Sequence, residues 1–362
     1  MSVTQGTDRA GRLVASLSEA EVDAMLVTEL VNVRYLTGYT GSNGLVVVGP
    51  HTRAFITDFR YVQQAAEQVE NSFDRHRASQ DLIEAIEEVI PGGPLRLGFE
   101  LANLSVRDHR RLRAALPDRV ELVGVDGLVE RLRAVKEPEE VARIREATEV
   151  ADAAFEELIA GGLAGKTERE LAFELGARMY RHGASRPSFE TIVAAGPHGA
   201  LPHATPRDVG VKAGGLVVID WGAQLEGYCS DCTRTVAIGE PGAAAREIYA
   251  LVLDAQRAGV KAVKGETEAR AVDSAAREVI AAAGHGEQFG HGLGHGVGLD
   301  IHEAPRLAQR SDAVLESGNV VTIEPGVYLP DQFGVRIEDL VVVTDAGCEI
   351  LTSITKELIV IE

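Results

Sequence analysis

The 362-residue chain predicts an α+β protein of two domains, residues 1–128 and 129–362. Three observations carry that expectation. Helical and strand-like patterns alternate through the first third, as in layered α/β units. The remaining two thirds repeat faintly upon themselves. Acidic residues recur on apolar, β-rich segments at the close of each repeat.

In the first third the spacing predicts a short amphipathic helix over 7–17, followed by Ser18-x-x-Glu21, which has the form of a capping box. Strands are expected at Ala24–Thr28, Leu45–Val48 and Ala54–Thr57, the last two joined by the Gly49-Pro50-His51 turn. Helices are expected over Arg60–Val69 and Leu82–Val89, the latter stopped by Pro91-Gly92-Gly93-Pro94. A strand at Leu95–Phe99, a helix at Val106–Ala115 and a strand at Val120–Val123 complete the unit. The boundary falls near Asp126–Val135, because Pro138 suits the first turn of a long helix. Val141, Ile144, Ala147, Ala151, Phe155 and Leu158 keep helical spacing along it.

The internal repeat is ordered. Gly165-Lys166-Thr167-Glu168 recurs as Gly265-Glu266-Thr267-Glu268, and Arg145-Glu146 as Arg246-Glu247. Each half then reaches a histidine segment, LPHATP with His203 or DIHEAP with His302, and ends in a hairpin. Two helix–helix–hairpin halves related by a pseudo-twofold axis are expected.

The net charge of −19 argues against nucleic-acid partners, since phosphate backbones need basic patches. No apolar run approaches the roughly 20 residues of a membrane helix. Three cysteines and no apolar leader predict a cytoplasmic location. Cys229 and Cys232 form a C-x-x-C, but no second such pair accompanies it, which disfavours structural zinc.

The chemistry concentrates in five segments: LVVIDWG (Asp220), YCSDCTRT (Asp231), GHGLGHGVG (His295), TIEPG (Glu324) and VRIEDL (Glu338). Asp220 and Glu324 repeat one pattern, V-x-I-D/E-x-G. Opposed residues of an antiparallel pair share one index sum. If Asp220 faces Asp231, the turn centres between Leu225 and Glu226; if Glu324 faces Glu338, it centres on Asp331. Facing acids repel unless a cation lies between them. Four carboxylates and one imidazole therefore predict two divalent metal ions, with Mn(II) first and Co(II), Zn(II) or Fe(II) as alternatives. Such a pair implies hydrolysis by an activated water, with Glu324 taking its proton. His203 and His302 are expected to contact substrate or transition state, and His291 the substrate. Arg336 shares the strand face of Glu338 and is expected to orient a bridging carboxylate beside the substrate. His198 ranks lower, and His51, His76, His109, His182 and His285 are expected on the surface.

With these motifs in order, the chain resembles the pita-bread metallopeptidases: methionine aminopeptidase, aminopeptidase P, prolidase and creatinase. The resemblance implies Asp220 on one metal, Asp231 and Glu338 bridging both, and His295 and Glu324 on the other. It places His203 and His302 near the scissile bond and His291 beside the leaving-residue pocket. NVRYLTGYTGSNG and FITDFRYVQQA resemble the creatinase-type N-terminal domain, which points to proline-directed members. SFETIVAAGPHGALPHATP resembles short bacterial Xaa-Pro aminopeptidases. The implied activity is release of an N-terminal residue from small peptides with proline second, by a homodimer. The alternative is an Xaa-Pro dipeptidase (prolidase), whose carboxylate-capturing groups the sequence alone does not locate. A non-catalytic binding protein on the same fold would have lost ligands, and none of the five is substituted.

Overall fold

The structure is a computed structural model describing residues 8–79 and 81–361. It separates into two compact units, Met1–Arg133 and Ala134–Glu362.

The first unit is built on a six-stranded mixed sheet. In spatial order its strands are Asp74–Arg77, Thr52–Thr57, Leu45–Gly49, Ala24–Val27, Leu95–Glu100 and Val120–Val125. The apolar strands lie where alternation places them. Asp74–Arg77 was not expected, since D-R-H-R carries no apolar signal. It is an exposed edge strand that pairs in parallel with Thr52–Thr57, so backbone pairing defines it. The helix Leu30–Thr37 was also unexpected; Gly38, at φ 79°, ends it.

Three expectations need correction. The Ser18–Glu21 stretch caps no helix: it is a turn, with Glu21 at φ 53°. Leu82–Val89 forms only a 3-10 segment, Glu84–Glu88, in which Ile86 N donates to Ile83 O and Val89 N to Ile86 O, three residues back. Arg60–Val69 divides into a 3-10 turn, Phe59–Tyr61, and the helix Val62–Gln68. The N-terminal helix is Arg9–Ser16, and residue 7 lies outside the described residues.

The division between units falls slightly later than 128/129, for a physical reason. The helix Leu128–Ala134 buries Leu128 and Val129, and Arg133 donates to Asn32 Oδ1 at 2.7 Å. Asn32 in turn donates to Glu100 at 2.7 Å, so this helix is fastened to the first unit.

In the second unit Pro138–Ala160 is one long helix, closed at its start by a Glu137/Glu140 capping box. Helices Glu168–Arg181, Ala243–Ala262 and Ala269–Ala282 follow. Each half has its own core. Phe155, Leu158, Leu171 and Trp221 belong to the first; Val252, Val272, Phe289 and Val341 belong to the second. Phe155 stacks on Trp221 with 4.1 Å between ring centres.

The duplication appears in backbone pairing. Val211 N donates to Lys166 O at 2.8 Å, and Leu315 N to Thr267 O at 2.9 Å. Glu168 N donates to Val209 O, and Ala269 N to Ala313 O. Lys166 thus corresponds to Thr267, one residue later than the tetrapeptide match suggests. Gly165 then corresponds to Glu266, and both have left-handed φ, 83° and 62°.

The main strands of the first half run Val360–Ile361, Cys232–Ile238, Leu216–Trp221, Ile192–Ala195; those of the second run Glu303–Leu307, Gly294–Gly296, Val320–Ile323, Asp339–Thr344, Gly347–Ile350. A further hairpin, Gly326–Leu329 with Phe333–Arg336, extends the second half.

Candidate metal centre

The five acidic and imidazole side chains converge. Asp220, Asp231 and Glu338 each bring a carboxylate oxygen within 4.8 Å of the others. His295 Nε2 stands 3.5 Å from Asp231 Oδ2 and 3.5 Å from Glu324 Oε1. Because His295 Nδ1 lies 3.0 Å from the Gly296 carbonyl, which can only accept, Nδ1 carries the proton. Nε2 is thereby left as a bare lone pair facing the acids, the tautomer a metal ligand needs.

Register explains the delivery. In the second half Ile323 pairs with Asp339, and Gly326 with Arg336. Glu324 and Glu338 therefore occupy the gap between two ladders of one register, as expected, and Asp331 at φ 61° is the turn centre. In the first half the expected register is wrong. Asp220 pairs with Thr233 and Leu225 with Tyr228, so the turn lies at Glu226-Gly227, where φ is 47° and 88°. Both turn residues are left-handed, the conformation a two-residue hairpin needs. Asp231 sits in a break between Tyr228–Cys229 and Cys232–Ile238.

Burial pushes the Asp231 and Glu338 carboxyls well above the ordinary carboxylate range, and neighbouring acids push further. Asp220 is raised by burial, opposed by Arg336. Glu324 is pushed up to about 8, chiefly by burial. His295 is driven down to about 4 by burial, which keeps it neutral. The protein alone does not accommodate four negative charges here. Asp220 Oδ1 is buried and has no hydrogen-bond partner, although Oδ2 accepts from Arg336 at 2.6 Å. A buried carboxylate oxygen without a donor fits a cation, so the residues fit the implied metals.

The histidines line a cavity of about 450 Å³ that opens on these acids. His203 and His302 are both on its wall, and the His302 ring centre is 4.5 Å from that of His295. His291 is also on the wall, but its Nε2 is 2.9 Å from the Tyr328 hydroxyl and its Nδ1 2.8 Å from the Gly292 carbonyl. Arg336 departs from expectation. Its Nη2 donates to Asp220, Nε to Thr233 Oγ1 at 3.0 Å, and Nη1 to the Tyr328 hydroxyl at 2.9 Å and the Pro202 carbonyl at 3.1 Å. All three nitrogens are engaged by protein, and Glu338 is reached only through Thr233, whose Oγ1 donates to Glu338 Oε2 at 2.8 Å. Arg336 thus orients Asp220 directly instead of a carboxylate on its own strand. His198 is buried on Glu168, away from the acids. The C-x-x-C thiols are buried, with pKa values raised by burial.

The family model for metallopeptidase family M24 matches residues 142–345, and that for the creatinase/prolidase N-terminal domain matches residues 9–135. The chain belongs to metallopeptidase family M24. An uncharacterized peptidase of Bacillus subtilis, YqhT, is 43% identical over 341 residues, covering 94% of this chain and 96% of its own. A solved Xaa-Pro dipeptidase from Bacillus anthracis matches at 40% identity and TM-score 0.93, over 98% of this chain and 99% of that one. An X-Pro aminopeptidase from Thermotoga maritima matches at 36% identity and TM-score 0.89, over 98% and 100%. The pita-bread architecture behind the creatinase-type domain is therefore shared with solved family members, and the chain is a metallopeptidase.

Several residues of this M24 centre escaped sequence reasoning. Thr233 holds both Glu338 and Arg336, and only the true register places it opposite Asp220. Tyr328 links Arg336 to His291 and lies on an apolar strand that reads as plain core. Arg306 and Phe189 also stand on the cavity wall.

Proposed function

We propose that this chain hydrolyses the bond between an N-terminal residue and a following proline in small peptides. The observation that carries the reading is the convergence of five ligand-type side chains, with the unpartnered Asp220 Oδ1, on one open cavity. Asp220 would hold one divalent cation, His295 and Glu324 the other, and Asp231 and Glu338 both. The donor set, hard oxygen with one imidazole, suits Mn(II), Co(II), Zn(II) or Fe(II) rather than a sulfur-seeking ion, and Mn(II) is the ion proposed. Bound there, the ions supply positive charge that polarises a carbonyl and acidifies a water.

The chain's own groups do the rest. Glu324 takes a proton from the water as its oxygen bonds to the scissile carbon. His203 and His302, on the cavity wall, donate to the oxygen that gains charge. An Xaa-Pro amide has no N–H, so the C–N bond breaks as the proline nitrogen receives the proton Glu324 holds. Tyr328 and Arg336 keep His291 and Asp220 in place throughout.

One observation favours dipeptides over longer peptides. Arg306 lies on the cavity wall and forms no ion pair among the described residues, so its guanidinium is available to a substrate carboxylate close to the scissile bond. Aminopeptidase action on longer chains shares every other step. We also propose that the chain acts in the cytoplasm as a homodimer; light scattering on the purified protein tests the dimer, and cell fractionation the location. No helix among the described residues is long and apolar enough to cross a membrane.

The deciding experiment compares the Mn(II)-loaded protein on an Xaa-Pro dipeptide and an Xaa-Pro-Xaa-Xaa tetrapeptide, with chelated and Asp220→Ala controls. Faster release from the tetrapeptide establishes an aminopeptidase; activity confined to the dipeptide establishes a prolidase. Cleavage of neither, by protein shown to hold two ions, refutes the proline-directed reading.

A further inference from the structure

The segment 196–207 carries His203 and has little structure of its own. Beyond the 3-10 turn Gly196–Ala200 it has no helix or strand, and His203 is exposed at the cavity. Something else has to hold the imidazole. Its two ends meet at one carboxylate. Glu168, fully buried at the start of the helix Glu168–Arg181, accepts from Ala195 N at 2.9 Å where the segment begins and from Arg207 N at 3.0 Å where it ends. The same carboxylate accepts from Arg207 Nε at 3.2 Å and Nη2 at 3.1 Å, and lies 2.9 Å from His198 Nδ1. The middle is tied separately, where Arg336 donates to the Pro202 carbonyl while holding Asp220.

We infer that Glu168 is a positioning residue for catalysis: its carboxylate draws the two ends of the 196–207 segment together and so sets the place of His203 over the reacting bond. Arg207 and His198 are its partners in this clasp. The inference rests on the reading above that His203 contacts the reacting peptide. Burial alone would raise the Glu168 carboxyl, but Arg207 and the backbone donors outweigh it and hold the group below its ordinary value, so the clasp stays charged. Glu168 touches none of the five ligands, so its loss leaves ion binding intact.

The test is a double-mutant cycle on the Mn(II)-loaded protein, with ion content and circular dichroism recorded for each variant. Glu168→Gln is expected to keep both ions and to lower kcat about tenfold to a hundredfold, the scale of a misplacement near 1 Å, with KM changed far less. In a His203→Ala background the same substitution is expected to change kcat by less than about twofold, because the group it positions is gone. An unchanged kcat in Glu168→Gln, or an equal loss in both backgrounds, overturns the proposal. If His203→Ala alone leaves kcat intact, the role of His203 has failed and the clasp proposal fails with it; the two failures are told apart by that single variant. Should Glu168→Gln not fold, Arg207→Gln, at a half-exposed partner, enters the same cycle with the same expectations.

Discussion

The two hairpins of the catalytic unit deliver their acids differently. In the second, Glu324 and Glu338 face each other at a gap between two ladders of one register. In the first, Asp220 lies within an unbroken strand opposite Thr233, and Asp231 reaches the centre from a break in the partner strand. The side chain opposite Asp220 is therefore a hydroxyl, and it joins the two halves by bonding Glu338 and Arg336. A symmetric frame thus carries an asymmetric centre. The offset hairpin gives up one facing acid and gains a donor that orients the other half's ligand.

If that asymmetry matters, the largest effect belongs to the acid in the break. Asp231→Asn, at the middle of the cluster, is expected to abolish peptide hydrolysis and to lower bound Mn(II), read by elemental analysis; full ion content would refute its bridging position. The next effect separates the cluster from the rest of the fold. Folded carboxyls raised above their unfolded values bind protons more tightly than the unfolded chain does, so they stabilise the fold at low pH and lose that as pH rises. For Glu324 the window runs from about 4.3 unfolded to about 8 folded. Chelated protein should lose thermal stability across it, and saturating Mn(II) should flatten the slope and raise Tm by roughly 5–10 °C at a hundredfold excess over Kd.

Thr233→Val probes the link between the halves. Removing the hydroxyl leaves Glu338 and Arg336 short of a partner, which costs about 1–3 kcal/mol of stability and about tenfold to a hundredfold in ion affinity, by calorimetric titration. The smallest effects lie in the turns. Gly227→Ala, at φ 88°, is expected to cost about 1–2 kcal/mol in denaturant unfolding. Asp331→Asn in the other turn should stay within about 0.5 kcal/mol, since both residues tolerate that conformation.

Asp220 and Glu324 were legible because each is a single acid in an apolar stretch of one repeated pattern, and His295 because it stands in a glycine-rich one; Asp231, between Ser230 and Cys232, and Glu338, beside Asp339, were legible only from the order of the motifs. The second hairpin's register followed from the same logic, since its two acids do oppose each other. The first failed because its two acids do not oppose each other: Asp220 pairs with Thr233, and the same register holds through Leu225 and Tyr228, so Asp231 falls two residues short of facing it. Glu226 also hid the turn: a glutamate with left-handed φ lacks the glycine signal that marks its neighbour. Arg336 was found but given the wrong partner, because a side chain shared along one strand is easier to see than Asp220 across the sheet. Glu168 was passed over as part of a repeated tetrapeptide, although its own helix start and the distant Arg207 define its work. Edge strands and 3-10 turns in the first unit escaped for a simpler reason, having little apolar pattern to betray them.

One buried pair bears on where this chain can be cut. Lys136 Nζ lies 2.9 Å from Glu303, with both side chains almost wholly enclosed, and Glu303 also accepts from Asp300 N behind His302. The match to family M24 begins only at residue 142. A gene fragment started at that edge would omit the lysine and break this buried ion pair, a loss of up to about 3–5 kcal/mol. One started at Ala134 would retain it. The practical beginning of the catalytic fragment is thus set by a counterion that lies outside the recognisable family sequence.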